Sequence, residues 1–174
     1  MKYFAYGSNM LVERLRVRVP DAVVIGTALT TGRRLLFHKR SLDGSGKCDI
    51  PETGNATDIV YGVLYDLPED QLPNLERAEG NGYTRSTICV SSGGSVVQAS
   101  AFLAMPEQIN DKLLPHDWYL DLVVAGARQH ALPAEYISFL IGTSKQPDLF
   151  VNRPARIQAI KVLPKTQYGI IENT

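Results

Sequence analysis

The sequence predicts an α+β fold in which a mixed, largely antiparallel sheet curls into a small barrel with helices packed outside it. About six strand-like segments follow one another without the strand–helix alternation of a parallel sheet. Residues 83–90 and 96–103, joined by Ser-Ser-Gly-Gly-Ser, have the pattern of a β-hairpin. Two apolar stripes with helical spacing follow, at residues 120–127 and 136–140.

The first part of the chain predicts a strand, a short helix and two more strands, at residues 3–6, 11–15, 22–29 and 33–39. Residues 41–57 are rich in turn-forming side chains and predict a long, mobile surface loop. Gly-Ser-Gly-Lys within it lacks the spacing and the Lys-Ser/Thr ending of a phosphate-binding loop. A nucleotide site is therefore rejected.

The middle of the chain predicts a central strand followed by a short helix. Residues 59–65 are apolar at almost every position, as in a strand covered on both faces. Asp-Leu-Pro-Glu at residues 66–69 has the spacing of a capping box, and Gly80 is placed to end the helix that follows. Pro73 interrupts the helical pattern, which predicts two short turns or a kink.

The whole chain of 174 residues is predicted to form one domain, with a weakly patterned tail from about residue 145. Residues 157–162 in that tail predict an edge strand. The 18 basic and 18 acidic residues balance, which disfavours nucleic acid or an anionic membrane as a partner and favours a small molecule. The pattern leaves the oligomeric state open.

The chain start lacks the apolar core of a signal peptide, and a cytoplasmic, reduced protein is expected. Both cysteines are interpreted as structural: Cys89 in a strand is expected in the core, and Cys48 in the turn-rich segment is expected to be exposed. The histidines lack the spacing of metal ligands or of a catalytic triad, and Ser8 lacks a nucleophile elbow.

The first candidate site is the turn that ends the opening strand. Tyr-Phe-Ala-Tyr favours a strand, whereas Gly7, Ser8 and Asn9 favour a turn with short side chains. Backbone N–H groups in such a turn can approach an anionic group of a ligand closely. The turn therefore predicts a place for a substrate anion.

The second candidate is Glu79, which follows a predicted helix and precedes Gly80. The negative end of a helix dipole disfavours an acidic residue there, so the position of Glu79 points to a functional role. A carboxylate of this kind can accept and return a proton during catalysis.

The residues Tyr-Phe-Ala-Tyr-Gly-Ser-Asn-Met at positions 3–10 resemble the opening of the γ-glutamylcyclotransferase family. Glu79-Gly80, followed by Tyr83, resembles the family segment that carries the general base. Pro-His-Asp-Trp-Tyr at residues 115–119 resembles the family's Pro-Ser-x-x-Tyr segment, and Ala-Gly-Ala and Leu-Pro-Ala-Glu-Tyr follow it in the expected order. His116 departs from the family's serine and leaves the hydrogen bond at that helix start open.

The resemblance implies an enzyme that closes the α-amine of a γ-glutamyl compound onto its γ-amide and releases 5-oxoproline and an amine, with Glu79 as general acid and base. On this mechanism we expect the Glu79 carboxylate to face the amides of the opening turn across one cavity. The resemblance implies no metal or organic cofactor. The residues expected to bind substrate are Ala5, Tyr6, Gly7, Ser8, Asn9, Tyr83 and Tyr119. A variant of this class acts on glutathione, but its members resemble a different continuation of the opening turn. The alternative from another class is a non-catalytic small-molecule binding module of the same fold.

Overall fold

The computed structural model describes residues 1–164 of the chain. These residues contain seven strands: β1 (Lys2–Ala5), β2 (Val23–Thr31), β3 (Leu36–Arg40), β4 (Gly46–Asp49), β5 (Ile59–Asp66), β6 (Tyr83–Ser92) and β7 (Ser95–Ala104). Five of them close a barrel in the order β1-β5-β2-β6-β7. Its neighbouring strands are antiparallel except where β1 meets β7 in parallel at Tyr3 and Ser100. The predicted mixed, largely antiparallel barrel is confirmed.

The helices of the described chain are α1 (Val12–Arg16), α2 (Leu72–Glu79), α3 (Asp117–Gln129), α4 (Ala134–Ile141) and α5 (Pro154–Val162). Most of α3 is buried, and it packs against α4, α5 and the 3₁₀ turn Ser8–Met10. The stripe predicted in α4 holds for Tyr136 and Leu140, whereas Phe139 is half exposed. Among residues 1–164, no helix has the length and apolarity needed to cross a membrane.

Strand β5 lies between β1 and β2, which confirms the central position predicted from its apolar run. Val60, Val63 and Tyr65 are fully buried. Gly62 faces β1 so closely that a Cβ atom there would lie 2.3 Å from the Ala5 carbonyl oxygen. A side chain at position 62 would therefore push β1 away, and β1 leads directly into the opening turn.

The hairpin of β6 and β7 is confirmed, with Tyr83 opposite Ala104 at its open end. Its turn is Gly93-Gly94, and both glycines have positive φ angles, 57° and 80°. Such a pair of left-handed residues forms the tight hairpin turn whose twist matches that of the strands.

The prediction of a mobile loop over residues 41–57 is wrong, because this segment contains β4, which pairs with β3. Ser45 and Ile50 are completely buried. A Cβ atom on Gly46 would lie 1.9 Å from the Phe37 carbonyl oxygen, so this strand position requires glycine, a residue that otherwise favours turns. The expected places of the cysteines are also reversed, since Cys48 is buried and Cys89 is exposed.

The capping box predicted at residues 66–69 does not form. A 3₁₀ turn at Glu69–Gln71 leads into α2, and Pro73 lies in the first turn of that helix, where a proline is tolerated. The interruption predicted at Pro73 does not occur there: the 3₁₀ turn passes into α2 at Leu72, and α2 continues through Pro73 until Gly80 ends it with a φ of 73°. The Asp66 carboxylate accepts a hydrogen bond from the Met1 ammonium group instead of capping the helix.

The edge strand predicted at residues 157–162 is wrong, because these residues belong to α5. Pro154 starts this helix at a position where its missing N–H costs nothing. Asp148 fastens the segment before α5 by accepting hydrogen bonds from Arg153 Nε (2.6 Å) and from Trp118 Nε1 on α3 (2.9 Å). This attachment ties the start of α5 to α3.

Candidate active site

A narrow cavity of about 30 Å³ lies where β1 runs into the turn Ser8–Met10. Its walls come from the N-terminal strand and turn, β4, the end of α2, both strands of the hairpin, and α3. The lining residues are Tyr3, Tyr6, Gly7, Ser8, Asn9, Cys48, Glu79, Tyr83, Phe102 and Tyr119. Space of this size holds about two water molecules.

Glu79 is the last residue of α2, and its side chain, 17 % exposed, reaches the N-terminal turn. Its Oε1 atom accepts a hydrogen bond from Asn9 Nδ2 at 2.7 Å and lies 3.3 Å from Arg18 Nη1. Within residues 1–164 both contacts use Oε1, so Oε2 keeps its lone pairs for another donor. The expected meeting of this carboxylate with the opening turn in one cavity agrees with the structure.

Asn9 is fixed by hydrogen bonds at both ends of its amide. Nδ2 donates to the Tyr3 hydroxyl at 3.0 Å as well as to Glu79, and Oδ1 accepts from Arg18. Arg18 follows α1 and therefore ties the carboxylate and the turn to a second element. Sequence patterns gave no signal for Arg18, because its partners lie 9 and 61 positions away along the chain.

Gly7, Ser8 and Asn9 of the opening turn also line the cavity. The first hydrogen bond within the turn runs from the Met10 N–H to the Gly7 carbonyl at 3.0 Å. The N–H groups of Ser8 and Asn9 come earlier in the chain, so the turn itself does not use them as donors. A Cβ atom on Gly7 would lie 3.1 Å from Cys48 Cβ, which shows how closely the turn packs against β4. Burial raises the pKa of the Cys48 thiol to about 12, so Cys48 forms part of the wall as a neutral thiol.

Three tyrosines predicted to bind substrate line the cavity, and burial raises the pKa of each well above its usual value. The hydroxyls of Tyr6 and Tyr83 donate to the carbonyls of Phe102 and Cys48. The Tyr119 hydroxyl accepts from the Cys48 N–H at 3.2 Å and also forms a hydrogen bond with the Cys48 thiol. These tyrosines hold the neighbouring strands in place around the cavity.

Replacing Tyr119 with phenylalanine is expected to lower the free energy of unfolding by about 1–3 kcal/mol, because the buried Cys48 N–H loses its acceptor. Urea unfolding measures this change. Tyr61→Phe is the matched control, since among the described residues the Tyr61 hydroxyl makes no hydrogen bond, and a change within about 0.5 kcal/mol is expected. Equal stability losses in the two variants would contradict the assigned role of the Tyr119 hydroxyl.

A second, wider cavity of about 150 Å³ adjoins the first. The two cavities share Ser8, Glu79, Tyr83 and Tyr119 as lining residues, so they meet at the carboxylate. The outer cavity adds residues that the sequence did not single out as functional: Arg14, Arg18, Lys39, Ser41, Asp43, Lys47, Ala78, Trp118 and Ala155. The candidate site is therefore a narrow inner chamber opening into a wider, basic outer chamber.

Two other positions from the sequence analysis, Ala5 and His116, do not line either chamber. Ala5 is buried at the end of β1 and is not among the residues lining either cavity. His116 precedes α3 and provides no side-chain cap for it, and its ring stacks on Trp118 with the ring centres 6.0 Å apart. Within residues 1–164, no cluster of three or more acidic, histidine or cysteine side chains has the arrangement of a metal site.

The model of the AIG2-like family matches residues 59–140 of the chain. The bovine protein named γ-glutamylcyclotransferase is 30% identical over 148 residues, an alignment that covers 77% of this chain and 73% of the bovine protein. The chain belongs to the γ-glutamylcyclotransferase family. The human γ-glutamylcyclotransferase is 28% identical over the same shares of the two chains. The chain is accordingly an enzyme of the γ-glutamylcyclotransferase class.

Solved structures agree with this fold. A crystal structure of an uncharacterized human protein superposes with a TM-score of 0.74 at 27% identity and covers 83% of this chain and 88% of that one. A structure named γ-glutamyl cyclotransferase superposes with a TM-score of 0.82 at 24% identity and covers 92% of this chain and 98% of that one. At that identity the second likeness concerns the fold of the γ-glutamylcyclotransferases.

Proposed function

We propose that this enzyme converts γ-glutamyl compounds into 5-oxoproline and a free amine, with Glu79 as the general base and acid. The α-amine of the substrate attacks the γ-amide carbonyl carbon, and the bond between that carbon and the leaving nitrogen breaks. One observation carries the proposal: Glu79 Oε1 lies 2.7 Å from Asn9 Nδ2 on the wall of a cavity that Gly7, Ser8 and Asn9 also line. A proton-transfer group and a set of hydrogen-bond donors thus enclose the same small space.

Proton transfer is the task that the reaction requires of Glu79. The α-ammonium group must lose a proton before its nitrogen can attack, and it loses a second proton once the ring has closed. The leaving nitrogen gains the same two protons and departs as an ammonium ion, so acid and base balance. Because Oε1 is held by Asn9 and Arg18, Oε2 is the atom that receives and returns each proton.

The turn amides complete the site with donors for negative charge. The reaction develops charge on the γ-carbonyl oxygen, and the substrate also carries an α-carboxylate. Backbone N–H groups at Ser8 and Asn9 suit either anion, because they are fixed before the substrate binds. The tyrosine hydroxyls hold the surrounding strands, which keeps these donors at a constant distance from Glu79.

A screen of γ-glutamyl amino acids and γ-glutamyl amines tests the proposal, with 5-oxoproline release measured by mass spectrometry. The proposal predicts 5-oxoproline and the free amine in equal amounts from at least one compound, without added metal or cofactor. Binding of these compounds without 5-oxoproline release would favour the binding-module alternative. Hydrolysis of the amide to free glutamate would contradict intramolecular attack.

A further inference from the structure

The outer chamber has an excess of positive charge that the proton transfer proposed for Glu79 leaves unexplained. Four cationic side chains line it, Arg14, Arg18, Lys39 and Lys47, together with two acidic ones, Asp43 and Glu79. Arg18 is paired with Glu79 at 3.3 Å, and Lys47 with Asp43 at 2.8 Å. These pairs balance two of the cations and leave two positive charges over.

The two remaining cations are Arg14 and Lys39, and both are more than nine-tenths buried. Within residues 1–164 neither forms an ion pair, and the Arg14 Nε–H has no hydrogen-bond acceptor. The contact of Arg14 with the Gln158 side chain is long, at 3.4 Å. Lys39 Nζ lies over the Tyr83 ring, 4.6 Å from its centre, at the boundary between the two chambers.

Keeping such groups charged without a partner is costly in a folded protein. Burial lowers the pKa of Arg14 to about 10, so it remains charged at neutral pH. Burial also lowers the pKa of Lys39, and the carboxylates of Glu79 and Asp43 oppose this change. Buried polar groups in native proteins are normally paired, so unpaired cations that line a cavity point to an anionic ligand.

The position of these cations relative to Glu79 indicates which part of the substrate they meet. The inner chamber has room for only about two water molecules, which is too little for a whole γ-glutamyl compound. The remainder must extend past Glu79 into the outer chamber, since Ser8, Glu79, Tyr83 and Tyr119 line both. The part of a γ-glutamyl compound that extends away from the reacting carbonyl is its leaving amine.

We propose that the outer chamber binds the leaving amine and selects amines that carry two carboxylates, as in a dicarboxylic amino acid, through Arg14 and Lys39. This inference rests on the proposed function, because it assumes that Glu79 marks the reacting centre. Two unpaired cations match two carboxylates in charge, whereas a leaving amine with one carboxylate leaves one cation unpaired. Selection by the chamber thus depends on the charge of the leaving group more than on its length.

Four substrates of similar shape test this selection. γ-Glutamyl-glutamate carries two carboxylates on its leaving amine, γ-glutamyl-glutamine lacks the side-chain carboxylate, γ-glutamyl-4-aminobutyrate lacks the α-carboxylate, and γ-glutamyl-n-butylamide lacks both. For 5-oxoproline release, kcat/KM is expected to fall by about tenfold for each carboxylate removed. This is the change expected from losing about one charge-assisted hydrogen bond.

Lys39→Gln and Arg14→Gln are the informative variants. In each variant, the preference for γ-glutamyl-glutamate over one of the two compounds that lack a single carboxylate is expected to shrink from about tenfold to about twofold or less. The kcat/KM for γ-glutamyl-n-butylamide, which lacks both carboxylates, should change little. Lys112→Gln removes an exposed lysine outside both chambers and should keep the full preference. If Arg14→Gln fails to fold, Lys39→Gln still decides the question.

The outcomes separate the two proposals. Equal kcat/KM for all four substrates, or a preference that survives in Lys39→Gln, would overturn the selection while leaving the cyclisation intact. An equal loss for all four substrates in Lys39→Gln would also overturn it, because the cation would then serve the shared glutamyl part. If no compound releases 5-oxoproline, the proposed function fails, and calorimetric titration of the same compounds tests the chamber alone. If affinity rises with the number of carboxylates on the leaving amine, and Lys39→Gln abolishes this trend, the anion site is supported. Equal affinity for all four compounds would overturn it.

Discussion

Glu79→Gln is expected to lower the rate of 5-oxoproline release by about 10²–10⁴-fold, the range for loss of a general acid and base. Glutamine has nearly the same shape and still offers an oxygen to Asn9 Nδ2, which donates to Glu79 at 2.7 Å in the native enzyme. It cannot take a proton from the substrate α-ammonium. The loss should therefore appear in kcat, while calorimetric affinity for a γ-glutamyl compound stays close to the wild-type value.

Glu76→Gln provides the matched control for this substitution. Glu76 lies on the same helix, three residues before Glu79, but its side chain is 46 % exposed and pairs with Arg85 at 3.3 Å. An exposed pair of this kind contributes little to stability, and kcat should remain within about twofold of wild type. Comparing the two variants separates the loss of a particular carboxylate from a general loss of negative charge on α2.

A Glu79→Gln enzyme that keeps more than about a tenth of the wild-type rate would show that another group moves the protons. A large loss of affinity with an unchanged kcat would instead indicate that Glu79 holds the substrate ammonium without proton transfer. A melting temperature measured alongside the kinetics guards against a trivial explanation, because the ion pair with Arg18 at 3.3 Å is partly buried and its loss will cost some stability.

The main elements of the candidate site were predictable from sequence because each has a strong local pattern. The opening turn combines a strand with three turn-forming residues, and Glu79 stands directly before the glycine that ends α2. What joins these two elements is the hydrogen bond between Asn9 and Glu79, 70 positions apart along the chain, together with Arg18, which contacts both side chains. Their nearness was an expectation from family resemblance, since periodicity carries no information about such a distance.

The basic outer chamber was not predictable in this way. Its unpaired cations come from α1 and β3, and Lys47 comes from β4, a strand that was missed altogether. The sequence of the Gly-Ser-Gly-Lys stretch at residues 44–47 excludes a phosphate-binding loop and indicates no other role, yet its second glycine and its lysine shape the site. Gly46 allows β4 to approach β3, and this places the Lys47 ammonium 4.5 Å from the centre of the Tyr119 ring. Because the composition of residues 41–57 is typical of turns, it gave no indication that the segment contains a strand lining the site.

Errors in the C-terminal part have a related physical origin. Residues 157–162 contain several β-branched apolar side chains that suit an edge strand, but Pro154 and the attachment of Arg153 to Asp148 start a helix before them. Tertiary contacts decide such short segments, because their intrinsic preferences differ by less than the free energy of one buried hydrogen-bonded ion pair. The last residues of the predicted tail, 165–174, lie outside the part of the chain that the structure describes.

Gly126→Ala is expected to damage both stability and catalysis, although alanine normally favours a helix. A Cβ atom at position 126 would lie 2.5 Å from the Leu11 backbone nitrogen and 2.7 Å from Met10 Cβ. Helix α3 must then move away from the turn Ser8–Met10, at a cost of about 1–3 kcal/mol for overpacking against a gain of up to about 1 kcal/mol in helix propensity. The net result should be a lower free energy of unfolding in urea.

The catalytic effect follows from where the displaced backbone leads. Met10 continues directly from Asn9, whose amide holds Glu79, so a shift of the turn alters the distance between the proton acceptor and the turn amides. A misplacement of about 1 Å at a reacting centre can cost on the order of 100-fold in rate, and kcat/KM is expected to fall towards that extent. Gly142→Ala at the end of α4 is the control, because its added Cβ atom would meet only the carbonyl oxygens of Ser138 at 3.4 Å and Phe139 at 3.7 Å, both at ordinary contact distance, and should leave kcat/KM unchanged. A Gly126→Ala enzyme with wild-type stability and activity would mean that the close approach of α3 to the opening turn is dispensable, and that the turn is positioned by β1 and Arg18 alone.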